Sequence, residues 1–252
     1  MILNLITDFI GGVSTVIVLA QSIKRFHDFF IDKRHIKTVL NFKNKECIIT
    51  QTVYRDSSSN AKEVITNASM QAFQMLNNMM YKVNYRIVLN SGSLIGKNII
   101  HIGGPAANIH VNALFVGHNY QFEFWTPESD EKTHKGLDLN SKQLKYSKDN
   151  TRKFIVGRTE LNIIENERDY AIIIRIPNDE KNGIEYSTHV IFGCMANGTL
   201  KGIEFFTNNY KMIAKKYGKS KYCFAVPINL IDNTIYVSKE RMIDLTNDFF
   251  GT

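Results

Sequence analysis

A chain of 252 residues, 44% apolar and 22% charged, holds enough material for one large domain and lacks the composition of a disordered polymer. Its formal charge is +7, yet the basic residues are dispersed apart from groups at 24–37 and 211–221, and no nucleic-acid-binding pattern accompanies them, which argues against a nucleic-acid partner. Three widely spaced cysteines, Cys47, Cys194 and Cys223, and seven scattered histidines form no CxxC or HExxH arrangement, so the sequence points to a reduced, intracellular chain with no metal site and no cofactor.

Residues 2–23 (ILNLITDFIGGVSTVIVLAQSI) contain one charge, Asp8, and come close to the ~20 residues needed to cross a hydrocarbon core. Gly11, Gly12 and Ser14 are small enough for close helix packing. Lys24 and Arg25 arrive where the apolar run stops, and no Lys or Arg precedes it. That asymmetry predicts a single-pass anchor in the inner or cytoplasmic membrane with the following domain in the cytoplasm, not a cleaved signal peptide. An amphipathic or oligomerising helix is the competing expectation, because Asp8 is costly in lipid. Phe26, Phe29, Phe30 and Ile31 extend an apolar stretch, so residues 1–37 form the N-terminal segment and residues 45–252 a second unit.

From residue 46 onward strand-like and helix-like runs alternate. Residues 46–54 (ECIITQTVY) predict a strand, 55–60 a polar turn, and Asn60 with Glu63 a capping box that opens a helix to about Tyr81. Residues 99–102 predict a short buried strand, 106–115 a helix, 120–125 a strand, and 127–152 a polar insertion. Strands are expected at 153–157 and 160–165, and a central one at 169–176 (DYAIIIRI), apolar on both faces. Residues 186–192 predict a strand, 198–217 one helix, 222–228 a strand, 234–237 a short strand and 239–249 a terminal helix. This alternation defines an α/β class: a doubly wound, mostly parallel, Rossmann-like sheet behind an N-terminal transmembrane helix.

Three turns share one grammar of strand, small residues, then helix: 56–60, 103–108 and 193–199. In open α/β sheets such turns gather at the carboxyl ends of the strands, where helix N-termini suit anionic ligands. In the first, Ser57, Ser58 and Ser59 are candidate donors. In the second, Gly103 and Gly104 allow close backbone approach, Pro105 suits a first helical position, and Asn108 offers an amide. The third, Gly193 to Thr199 with Gly198, has the GxxxxGT spacing of a phosphate loop but lacks its lysine, which disfavours ATP hydrolysis. Asp56, His101, His110, His189 and Glu204 are the nearby acid–base groups, and no nucleophile–base pair is evident from spacing, so catalytic residues stay unassigned.

Together GGPAAN at 103–108, DYAIIIRIPN at 169–178 and FGCMANGT at 192–199 resemble an uncharacterised bacterial α/β domain family carrying GGPxxN, YAxIxRxPN-like and GxxxxGT motifs. The resemblance spans about residues 99–230 and implies a Rossmann-like fold without fixing a chemistry. A membrane helix ahead of such a domain is also similar in architecture to membrane-anchored nucleotide-sensing and effector proteins of prokaryotic defence systems. The leading expectation is a membrane-anchored binding module for a nucleotide-like or other anionic small molecule. Such a module signals through a homo-oligomer or an unidentified protein partner. A nucleoside or NAD glycosidase or transferase using Asp56 or Glu204 is the enzyme alternative, and a partner-binding structural protein the third.

Overall fold

The computed structural model describes residues 2–50, 54–55, 63–64, 67–89, 94, 97–105, 107–125, 152–164, 167–177, 186–232, 234–235 and 242–251. The chain opens with α1 (Ile2–Leu40), β1 (Glu46–Thr50), the short pair β2 (Tyr54–Arg55) and β3 (Glu63–Val64), α2 (Asn67–Tyr81) and β4 (Arg86–Leu89). It continues with β5 (Asn98–Ile102), α3 (Ile109–Gly117), β6 (Phe122–Trp125), β7 (Arg152–Val156), β8 (Thr159–Ile163) and β9 (Arg168–Ile176). The last elements are β10 (Thr188–Phe192), α4 (Ala196–Asn208), α5 (Tyr210–Tyr217), β11 (Tyr222–Asn229), β12 (Thr234–Ile235), β13 (Ile243–Asp244) and α6 (Thr246–Phe250).

The α/β class holds. The main sheet runs β12-β11-β9-β10-β5-β1-β4, with β13 added on β11. β4, β1, β5 and β10 are parallel neighbours, whereas β9 runs against both β10 and β11. The reversal has a simple cause: fewer residues separate Ile176 from Thr188 than the roughly one dozen a parallel crossover needs. Alternation along the strands sends their side chains to two apolar layers. Ala171, Ile173, Ile191, Tyr222 and Phe224 join the layer that also holds buried residues of α1, α2, α4 and α5. Ile172, Ile174, Val190, Phe192 and Ala225 face a second layer built with α3, α6 and the antiparallel meander β6-β7-β8. Phe115, Phe122, Phe154 and Phe192 meet there edge to face.

α1 is one unbroken helix that passes the expected boundary at residue 37. The sequence places a membrane span at 2–23. Among the described residues no helix is long and apolar enough to cross a membrane, and in α1 described side chains begin at Val18. Only the far end of α1 is built into the domain, through the buried Ile36, Val39 and Leu40. There the fully buried Arg175 of β9 donates to the carbonyls of Thr38 (3.0 Å) and Val39 (2.8 Å), and also to those of Gly218 (3.0 Å) and Ser220, which follow α5. Its guanidinium lies over the Tyr222 ring at 4.7 Å. His189, opposite Arg175 on β10, adds a 3.0 Å contact from Nε2 to the Leu40 carbonyl.

Several local expectations change. α2 starts at Asn67, not Asn60, because Glu63–Val64 pairs with Tyr54–Arg55 as strands and the β-branched run Val64-Ile65-Thr66 disfavours a helix. The single helix predicted at 198–217 is two. Asn209 breaks it, and Thr207 and Asn209 return side-chain hydrogen bonds to the carbonyls of Ile203 and Phe205. The terminal helix shrinks to α6, since Ile243–Asp244 adds to β11 and Asp244 accepts from Thr246 N–H and Oγ1. β4 is an unanticipated edge strand. Of the insertion predicted at 127–152, residues 127–151 lie outside the described residues and Arg152 opens β7.

Replacing Arg175 with Met leaves the four carbonyls it serves without their donor, and the loss expected is about 3–5 kcal/mol. Arg175→Lys recovers only part of it, because an ammonium lacks the planar fork. Urea unfolding of the two variants checks both; equal stability to the native chain would contradict this role.

Candidate functional site

The carboxyl ends of β1, β5 and β10 lie side by side, since these strands are adjacent and parallel. This is the edge at which open α/β sheets bind ligands. Of the three turns expected there, the first, with Asp56, Ser57, Ser58 and Ser59, lies outside the described residues.

The third turn is occupied by the protein's own carboxylate. Asp169, buried at the start of β9, accepts from the backbone N–H groups of Tyr170 (2.7 Å), Cys194 (3.1 Å) and Met195 (3.1 Å). It therefore sits where a phosphate loop would hold an anion, at the N-terminus of α4. Gly198 is required here because a Cβ at this position would lie 2.0 Å from Asp169 Oδ2. The Thr199 hydroxyl accepts from Gly193 N–H at 2.9 Å and donates to the Met195 carbonyl at 3.3 Å. Gly193, Gly198 and Thr199 thus close a self-contained turn. Burial pushes the Asp169 carboxyl above its usual range, against the downward pull of those three N–H donors.

The second turn is built differently. Gly103 has φ +106°, a conformation that disfavours any side chain, and its N–H donates to Ile191. Gly104 accepts from the N–H groups of Ala107 and Asn108. Pro105 does not start the helix; α3 begins four residues later with Asn108 as its N-cap. The Asn108 Oδ1 accepts from His110 N–H (3.1 Å) and Val111 N–H (3.4 Å), while its Nδ2 donates to Thr50 Oγ1 at 3.2 Å. Thr50 Oγ1 is in turn 2.6 Å from His101 Nδ1. The last residue of β1, a buried histidine of β5 and the cap of α3 are so joined in one chain of hydrogen bonds. The exposed His110 ring, in the first turn of α3, lies nearly parallel to that of His101, at 24° and 6.4 Å between centroids.

The charge state of this cluster follows from burial. Desolvation, assisted by His110, holds the His101 imidazole down to about 3, so it is neutral at physiological pH. A base this weak gives little help to proton abstraction near neutrality, so the Thr50–His101 pair is better suited to hydrogen bonding than to activating a nucleophile. Glu204, the other expected carboxylate, is ion-paired with Lys201 at 2.8 Å on α4. His189 belongs to the α1 anchor instead. Among the described residues no cluster of His, Cys, Asp or Glu could hold a metal ion.

Thr50 and Asp169 carry the local geometry, yet neither stands out in the sequence. Thr50 reads as one more β-branched strand residue. Asp169 had a signal: an acid at the head of a long apolar strand must find donors if it is buried. Comparison with protein-family models, with characterised proteins and with solved structures finds no match.

Two buried neutral histidines give a pH dependence of definite sign. His101 and His189 are both held at about 3 by burial, against an unfolded value near 6.5. Below about pH 6.5 the unfolded chain takes up protons that the folded one does not, so stability is complete above that value. It falls with acidity, by up to about 2.7 kcal/mol per pH unit for the pair. Asp169, raised by burial, acts with opposite sign nearer the carboxylate range. Urea midpoints measured from neutral to mildly acid pH should fall steeply, with the His189→Phe and His101→Phe variants each flattening the slope; a level profile in the native chain would contradict the assignment.

Proposed function

We propose that the chain is a ligand-binding module whose site is the mouth between the ends of β1 and β5 and the first turn of α3. Its ligand is nucleotide-like. The observation that carries this is the hydrogen-bonded set Thr50, His101 and Asn108 beside the exposed His110, at the edge of the parallel half of a sheet. The exposed His110 ring, near-parallel to the buried His101 ring, suits a flat nitrogenous ring by stacking. The Thr50 hydroxyl, half-buried, suits a ligand hydrogen bond. Gly103 and Gly104 let a ligand come close to the backbone, and the N-terminal end of α3 favours any negative charge it carries. Because Asn108 already caps two N–H groups there, and Asp169 fills the equivalent position at α4, binding rests on the base and sugar more than on phosphate.

Residues 2–23, with Lys24 and Arg25 directly behind them, support attachment to a membrane with the domain on the cytoplasmic side. A doubly wound, Rossmann-like ancestry for the parallel half, and a signalling or defence-effector role, are the wider form of the same proposal.

The test is a thermal-shift screen of the full chain, in mild detergent where needed, against nucleosides, nucleotides, dinucleotides and cyclic nucleotides. A ligand at 100 times its Kd adds about 2.7 kcal/mol to stability. The expected result is a shift from one class that His110→Ala weakens and Thr50→Val removes, while Thr199→Val leaves the ligand-induced increment intact. No shift with any class, or one indifferent to Thr50 and His110, would refute the assignment.

A further inference from the structure

We infer that α1 is a self-association element, and that copies of this chain pair in parallel along one seam of it. The inference does not depend on the ligand assigned above. From Val18 to Phe30 the helix is exposed at every described position, while its last turns are locked into the domain. Large apolar side chains are left uncovered: Leu19 is 60% exposed, Ile23 61%, Phe26 66% and Phe30 53%. Among the described residues nothing of the same chain covers them.

Their spacing indicates what does. Residues 19, 23, 26 and 30 are separated by four, three and four, the a/d rhythm of a left-handed helix pair. In the sequence the same alternation runs back unbroken through Val16, Gly12 and Phe9 to Leu5 and Ile2, with no polar residue at any of these positions. The opposite positions of the heptad hold Thr7, Ser14, Gln21 and Asp28. From Leu19 to Phe30 the other side of the helix carries Gln21, Lys24, Arg25 and Asp28, so an apolar seam of period 3.5 backs onto polar residues there, the pattern of a helix that meets another helix. Phe26 and Phe30 already stack edge to face along the seam at 4.7 Å.

The seam also stops where the fold requires. Its next position is Lys33, and from Asp32, paired with Lys211 of α5 at 2.6 Å, α1 belongs to its own domain. In the parallel pair proposed, both domains hang from the same end of the helices. No two like charges face across it: the flanking heptad positions e and g from residue 18 to 34 are Ala20, Ser22, His27, Phe29 and Arg34. Left-handed crossings of this kind occur in lipid as in water, so the seam is compatible with a membrane-inserted or a free helix.

Cysteine cross-linking of the full chain tests this, in a Cys194→Ser background; the remaining Cys47 and Cys223 are buried. Single cysteines at Ile23, Phe26 and Phe30 are compared with Gln21 and Asp28 under mild oxidation, in whichever fraction, membrane or soluble, holds the chain. The expected result is a disulfide-linked dimer at the three seam positions and little at the other two, with Leu19→Asp abolishing cross-linking at Ile23→Cys. Equal cross-linking at all five positions would overturn the inference. So would none at any, including the case in which the chain floats with phosphatidylglycerol–phosphatidylethanolamine vesicles as a monomer.

Discussion

A cation buried without a carboxylate organises this protein. Every hydrogen bond that Arg175 makes among the described residues goes to a main-chain carbonyl: Thr38 and Val39 at the end of α1, Gly218 and Ser220 just after α5. The last carbonyls of a helix carry partial negative charge and lack partners within it, so two helix ends together supply what one acidic side chain would otherwise provide. A guanidinium suits this because its five donors diverge in one plane. His189 completes the arrangement at Leu40 as a neutral donor or acceptor. Without this joint, the helix face of the sheet would present unpaired polar groups in an apolar layer, at a cost the surrounding burial could not easily offset.

The strand that carries Arg175 does the converse at its other end. Asp169 sits at the start of β9 on the same face and meets the positive end of α4. Between the two charges stand Ala171 and Ile173, both fully buried. One strand therefore fixes α1 and α5 by their carboxyl ends and α4 by its amino end. An internal carboxylate already fills the turn that most resembles a phosphate loop, and the Thr50–His101–Asn108 set lies on the other side of β10 from it. The exposed part of α1 continues without a break from the segment fixed in this way.

Much of this architecture is legible in the sequence, for identifiable reasons. β1, β5, β9, β10 and β11 are dense apolar runs bounded by polar turns, and such runs signal buried strands whatever their direction. That the sheet is mostly parallel is legible in the alternation of strands and helices; the direction of β9 is not. The reversal of β9 depends on how short its link to β10 is, and that weighs little against the general alternation of strands and helices. The motif glycines stand out in the sequence, but their partners do not, because spacing cannot show that Gly198 makes room for an aspartate 29 residues earlier in the chain. Arg175 lay hidden inside an apolar run. A lone charge in such a run is the sequence's own mark of a buried polar joint. Residues 2–23 pose the opposite difficulty, since apolar density suggests lipid while the heptad rhythm suggests another helix.

Hydrogen exchange at the end of α1 tests the joint most directly. If Arg175 and His189 hold that end to the sheet, the amides of residues 36–41 in the native chain exchange only through unfolding of the whole domain. In Arg175→Lys they then exchange much faster than the amides of β9 and β10, by local release of the helix. Protection at 36–41 that stays equal to that of the central strands in the variant would show that apolar burial of Ile36, Val39 and Leu40 is sufficient, and that the buried cation is not what secures the helix.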